Sequence, residues 1–166
     1  MRTIDNINSL NKSEFLSIFG NVFEKTESVA LKVFELKPFK DFDDIISKML
    51  KIYEEYDRDK ILEILNSHPE LAIEKKLTTD SKLEQTSANL NECSEEEFKE
   101  FRKLNIEYKT KFGFPFIIAV KGKNKNEILV NFRERIQNDL NKEFFEAKNQ
   151  VKKIALIRLN QIIEIN

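Results

Sequence analysis

The sequence predicts an all-α protein: one compact helical domain over residues 1–166, of roughly seven to nine helices, with no significant sheet. Three observations carry this. Apolar residues recur at three- and four-residue spacing through almost the whole chain. Only 3 glycines and 3 prolines, the residues that break helices, stand among 166 positions. No two stretches alternate apolar with polar residues as paired strands do.

The stripes follow in order. Phe15, Phe19, Val22 and Phe23 form the first. Val29, Ala30, Val33 and Phe34 form a second, which must stop before Pro38. Ile45, Met49, Ile52, Tyr53 and Tyr56 make a third, and Ile61, Leu62, Ile64 and Leu65 a fourth that Pro69 ends. Phe98, Phe101, Leu104, Tyr108 and Phe112 make a fifth. Ser94 with Glu97 reads as the capping box at its start, and Gly113 as its left-handed stop. Ile128, Leu129, Phe132 and Ile136 form a sixth; Phe144, Ala147, Val151, Ile154, Ala155, Leu159 and Ile162 a long seventh. Phe114 to Val120 is the exception: continuously apolar with a proline inside, it reads as a buried extended segment or a short helix, since no second strand-like run exists to pair with it. Fourteen phenylalanines and no tryptophan predict a phenylalanine-rich core.

Composition narrows the function. Lys+Arg is 28 against Asp+Glu 29, a net charge of -1, without the basic footprint of a nucleic-acid binder. The densest basic stretch, Lys121 to Lys125, reads as a solvated loop. Cys93 is the sole cysteine and His68 the sole histidine, so no disulfide and no structural zinc site is expected. No apolar run reaches membrane-spanning length, and residues 1–5 lack the apolar core of a signal peptide. A cytoplasmic protein that binds neither membrane nor nucleic acid is expected.

Three positions strain a purely structural reading. His68 stands before Pro69, at the end of a helical pattern. Proline pushes the preceding residue out of the α region, so the imidazole projects from a helix end. It is the only side chain here whose ordinary pKa suits proton transfer near neutrality; it also suits the cap of a helix C-terminus. Ser81-Lys82-Leu83-Glu84-Gln85 matches a capping box, Ser81 at the N-cap and Glu84 at N3. The same first turn also presents a hydroxyl, a carboxylate and an amide to a polar ligand. Arg158 lies seven residues after Val151 and four after Ile154, on the apolar stripe of the last helix. It either snorkels, stem packed and head in water, or grips an anion with its planar fork.

In order along the chain, His68-Pro69-Glu70-Leu71-Ala72, then Leu77-Thr78 with Ser81-x-x-Glu84-Gln85, then Phe112-Gly113-Phe114-Pro115-Phe116-Ile117, resemble the 2-oxo-4-hydroxy-4-carboxy-5-ureidoimidazoline (OHCU) decarboxylase family. Leu10 to Glu24, Leu104-Asn105 with Tyr108, and Ile154 to Leu159 fit as well. Ile73 and Asn89 stand where this family usually has glycine. The resemblance implies an all-helical fold, a cofactor-free decarboxylation without metal, and a homodimer. It places the catalytic histidine on His68, with Glu84 beside it in the chemistry. It places substrate binding on Pro69, on Ser81, Lys82, Leu83, Glu84 and Gln85, on Phe116, Ile117, Ile118, Ala119 and Val120, and on Arg158. The expected activity is conversion of OHCU to (S)-allantoin and carbon dioxide in urate degradation. The alternative is a helical protein-interaction module without catalysis, in which the same residues serve as caps and packing.

Overall fold

The computed structural model describes residues 3–72 and 77–164. Among these residues there are nine α-helices, one 3-10 turn and no strand. Their contacts cluster into two units. The first holds the chain up to Ser67 together with residues from Lys152 onward; the second runs from His68 to Val151.

The first unit contains α1 (Ile4–Ser9), α2 (Lys12–Phe19), α3 (Ser28–Phe34), α4 (Phe42–Glu54) and α5 (Arg58–Ser67). Local chemistry starts these helices. The Thr3 and Asn11 side chains each accept from the backbone N–H three residues on, and Asn6 and Glu14 reach back to complete capping boxes. Asp41 accepts from the N–H of Asp44 at the start of α4. The inward faces are aromatic: Phe15 and Phe19 lie 4.6 Å apart at their ring centroids, Phe23 stacks on Tyr53 at 4.8 Å, and all four rings are buried. Removing each from water contributes about 1.5–3 kcal/mol. α2 ends at Phe19, so the first apolar stripe overran its helix; Val22 and Phe23 are buried from a turn.

The second unit contains α6 (Thr79–Ser87), the 3-10 turn Leu90–Glu92, α7 (Glu95–Phe112) and α8 (Lys125–Arg135). The last helix, α9 (Leu140–Glu164), begins here and crosses the boundary between the units. α7 starts and stops as its sequence predicts: Ser94 accepts from the N–H of Glu97, and Gly113 closes the helix at φ 79, where a side chain would be strained. Asn89 has φ 58 and follows α6 rather than lying within it. Asparagine tolerates that left-handed conformation better than most residues. Phe114 to Val120 is buried and lies in neither helix nor strand, which sets aside the short-helix reading. Tyr108 gathers Phe112, Phe114, Phe116 and Phe132 within 5.9 Å, and Phe116 stacks on Phe132 at 3.9 Å.

Candidate active site

α5 ends at Ser67, and His68 follows in a bend before Pro69. The imidazole is 8% exposed, with Nε2 fully buried. A residue that merely capped a helix end in water would be open; this one is enclosed. Pro69 and Glu70 are half-buried, and Leu71 and Ala72 are buried. The backbone of this segment is held by side chains. Gln85 Nε2 donates to the Glu70 carbonyl at 3.2 Å, and Gln85 Oε1 accepts from the Ala72 N–H at 3.2 Å. Asn105 Nδ2 donates to the Leu71 carbonyl at 3.0 Å. Ala72 adopts φ 51, a conformation rare for a residue with a Cβ. Residues 73–76, Ile73 among them, lie outside the described residues.

The α6 start differs from the capping-box reading. Thr78 is the N-cap, with φ -63 and ψ 159, and its hydroxyl accepts from the Ser81 N–H at 3.3 Å. Ser81 therefore stands at N3, inside the helix, and is buried. The capping box of Ser81 with Glu84 is corrected: Ser81 has helical backbone and cannot serve as an N-cap, which needs an extended one. Ser81 and Gln85 are buried and Glu84 half-buried, whereas Lys82 and Leu83 are exposed, Leu83 by 65%. Helical period explains the division: 81 and 85 share one face, and 82 and 83 point away from it. Of the five positions in this stretch, the structure thus turns three inward.

Phe116, Ile117, Ile118, Ala119 and Val120 are all buried. Two side chains hold the backbone of this segment. Arg135 Nη1 donates to the Ile117 carbonyl at 2.6 Å, and Gln150 Oε1 accepts from the Ala119 N–H at 2.9 Å. The Arg135 guanidinium also lies over the Phe116 ring, 4.4 Å from its centroid. Behind it stands a buried polar network. Glu143 Oε1 accepts from Arg135 Nε at 2.7 Å and from the Tyr108 hydroxyl at 2.6 Å, and its Oε2 accepts from Asn138 at 3.0 Å. Burial, reinforced by Glu143, pushes the Tyr108 hydroxyl pKa up, so it remains a donor. The Ala119 amide is thereby engaged by protein, which narrows the set of amides open to a ligand in 116–120.

In the other unit, Arg158 is 4% exposed. Its Nη2 donates to Glu24 Oε2 at 2.8 Å, and its Nη1 to the Asn21 carbonyl at 2.8 Å. The snorkelling alternative is thus corrected: the head is buried because it has protein acceptors, and Glu24 is itself fully buried. An open hollow of about 450 Å³ shares Asn21, with Leu16, Ser17, Gly20, Lys25 and Glu27 in its wall.

The sequence reading gave no site role to Arg135, Glu143, Gln150, Asn105 or Glu24, although Asn105 and Glu24 fall in stretches that carry the family resemblance. A signal existed for four of them. Arg135 follows Phe132 by three, Glu143 precedes Ala147 by four, Gln150 follows Ala147 by three, and Asn105 lies four after Phe101 and three before Tyr108. Each sits on an apolar stripe, as Arg158 does, and all four are buried. Glu24 lies in a turn, where periodicity has nothing to say.

Among the described residues no group of three metal-ligating side chains converges, and no helix is long and apolar enough to cross a membrane. The described residues are thus helical without strands, and they enclose the imidazole of His68. Residues 8–160 match the sequence profile of OHCU decarboxylase. The chain belongs to the OHCU decarboxylase family. It is 38% identical over 162 residues to a uric acid degradation bifunctional protein of Bacillus sp. (strain TB-90), covering 98% of this chain and 32% of that protein. It is 34% identical to the 2-oxo-4-hydroxy-4-carboxy-5-ureidoimidazoline decarboxylase of Haloferax volcanii, covering 95% of this chain and 94% of that one. The chain thus spans about a third of the length of the bifunctional relative and nearly all of the single-function one. The fold is similar to that of a crystal structure of (S)-allantoin synthase, with TM-score 0.77 and 26% identity over 97% of this chain and 54% of that chain.

Proposed function

We propose that this chain decarboxylates OHCU to (S)-allantoin and carbon dioxide in urate degradation, without a cofactor, with His68 as general acid/base. The observation that carries the reading is the match of residues 8–160 to the family, inside which the sole imidazole lies buried ahead of Pro69.

The chemistry suits that group. The bond from the ring to the carboxylate breaks, carbon dioxide leaves, and the electron pair passes into the adjacent imine until a proton quenches it. A positioned imidazole that supplies or removes this proton accelerates the step by about 100- to 10,000-fold. The half-buried Glu84 accepts from ring or ureido N–H groups, and Ser81 offers a hydroxyl on the same helix face. Pro69 and the apolar segment Phe116 to Val120 exclude water, which strengthens each polar contact with the substrate. Gln85 serves this site through the backbone it holds at Glu70 and Ala72. Arg158 belongs to the substrate-binding set that the resemblance implies, its planar fork suited to a carboxylate. Lys82 and Leu83, exposed on α6, contribute the helix rather than a contact of their own. The reading includes a homodimer, as the resemblance implies, and a cytoplasmic location, the default from composition.

The test is a coupled assay. Urate, urate oxidase and hydroxyisourate hydrolase are incubated with and without the protein, and circular dichroism follows the handedness of the allantoin formed. Accelerated appearance of the (S) enantiomer is expected. Racemic product at the uncatalysed rate would leave a non-catalytic interaction module as the better reading. Sedimentation equilibrium tests the dimer.

A further inference from the structure

We propose that Asn105 is a positioning residue for His68, and that with Gln85 it forms a two-carboxamide clamp on the backbone leaving the histidine. The inference rests on the reading above that His68 moves the proton. It goes beyond that reading in assigning a residue that reaches the histidine only through its backbone.

Three consecutive residues after Pro69 each give one backbone group to a side-chain amide. The Glu70 carbonyl accepts from Gln85 Nε2, the Leu71 carbonyl from Asn105 Nδ2, and the Ala72 N–H donates to Gln85 Oε1. The two amides come from different helices, α6 and α7. Gln85 uses its donor and its acceptor on residues two apart, as a neighbouring strand would. Asn105 takes the carbonyl between them. Neither side chain is placed by chance of exposure: Asn105 is 3% and Gln85 7% exposed.

Asn105 stands on the apolar stripe of α7 between Phe101 and Tyr108, where a leucine would pack without polar cost. Its orientation is set by its task, because only the Nδ2 end can donate to the Leu71 carbonyl. The segment it holds is one that would not hold itself. It lies in no helix or strand, and Ala72 has φ 51, which an L residue adopts only under constraint. Pro69 locks its own φ and restricts His68. Few soft dihedrals remain between the imidazole's Cα and the clamped groups, so the clamp sets the path of the backbone out of His68. A displacement of about 1 Å at a reacting group costs on the order of 100-fold in rate.

The single histidine makes the test direct, since its imidazole carbon–proton signals in a nuclear magnetic resonance spectrum need no assignment. Asn105→Leu keeps the volume and removes the donor; Asn105→Ser shortens the side chain so that it no longer spans to Leu71, and admits water should the leucine variant fail to fold. Gln85→Leu releases the other two contacts. In folded variants the His68 signals of the ligand-free protein should shift and broaden, and their titration midpoint should move. In the coupled assay kcat should fall about 10- to 100-fold in the Asn105 variants, with KM changed less than about 3-fold. Unmoved His68 signals and titration in any folded variant would overturn the clamp, as would a loss confined to KM. If the wild-type protein does not turn over OHCU, the functional reading fails, while the imidazole signals still decide whether Asn105 positions His68.

Discussion

Replacing Glu24 by leucine should destabilise the protein more than an ordinary surface change, because it strands a buried cation. Arg158 is 4% exposed and Glu24 0%, and the carboxylate lies 2.8 Å from Nη2. The guanidinium also donates to the Asn21 carbonyl through Nη1, at 2.8 Å. Breaking a buried pair by removing one partner costs about 3–5 kcal/mol, since the remaining buried charge loses the carboxylate that offset its desolvation. At this chain length each kcal/mol moves Tm by about 2–4 °C, so Glu24→Leu should melt about 6–20 °C lower. Arg158→Met should lose a similar amount. The double variant should not lose the sum: with both charges gone the apolar pair packs, and most of the loss is recovered. Urea unfolding followed by far-ultraviolet circular dichroism measures all four corners of this cycle. A loss below about 1 kcal/mol in Glu24→Leu, typical of an exposed pair, or additive losses in the double variant, would refute the buried-pair account. Arg158→Lys adds the functional question: lysine keeps the charge but cannot meet both acceptors with a planar fork. If Arg158 also grips substrate, affinity for OHCU falls clearly; if its work is confined to Glu24 and Asn21, only stability changes.

Four further outcomes are expected. His68→Asn should fold normally yet lose about 100- to 10,000-fold in kcat, and wild-type turnover in a folded variant would remove the imidazole from the mechanism. Thr78→Ala should cost about 0.5–2 kcal/mol as a lost N-cap, whereas Ser81→Ala should show no such capping loss; the reverse order in urea midpoints would restore the capping box at Ser81. Tyr108→Phe should lose about 1.5–3 kcal/mol, because the buried Glu143 carboxylate gives up a donor 2.6 Å away; unchanged unfolding would show that Arg135 and Asn138 suffice. Lys125 holds the Glu97 carboxyl below the usual glutamate range. Its contribution is therefore present above the unfolded pKa and disappears as pH falls through the lower folded value. The stability difference between wild type and Lys125→Met should shrink between pH 5 and pH 3, as estimated from ordinary carboxylate pKa values of about 4; a constant difference would contradict the assignment.

What the sequence determines by itself is the set of positions that turn inward. A 3.6-residue period places Phe101, Tyr108 and Phe112 on one face of α7, and Ala147, Val151, Ile154 and Arg158 on one face of α9, whatever else the chain does. Ser94 and Gly113 likewise mark the ends of α7 through chemistry confined to a few neighbouring residues. The order of short motifs around His68, Ser81 to Gln85 and Phe112 to Ile117 was enough to indicate the family. Which neighbour each inward polar group meets was decided only in three dimensions. Arg158 finds Glu24 across 134 residues, Asn105 finds Leu71 across 34, and Gln150 finds the Ala119 amide across 31. No local pattern encodes such pairs, because periodicity fixes the direction of a side chain and not the element that packs against it. Even the start of α6 needed the backbone. Thr78 and Ser81 are both capping residues three apart, and only the extended ψ of Thr78 shows which of the two lies outside the helix and can turn its hydroxyl onto the other's N–H.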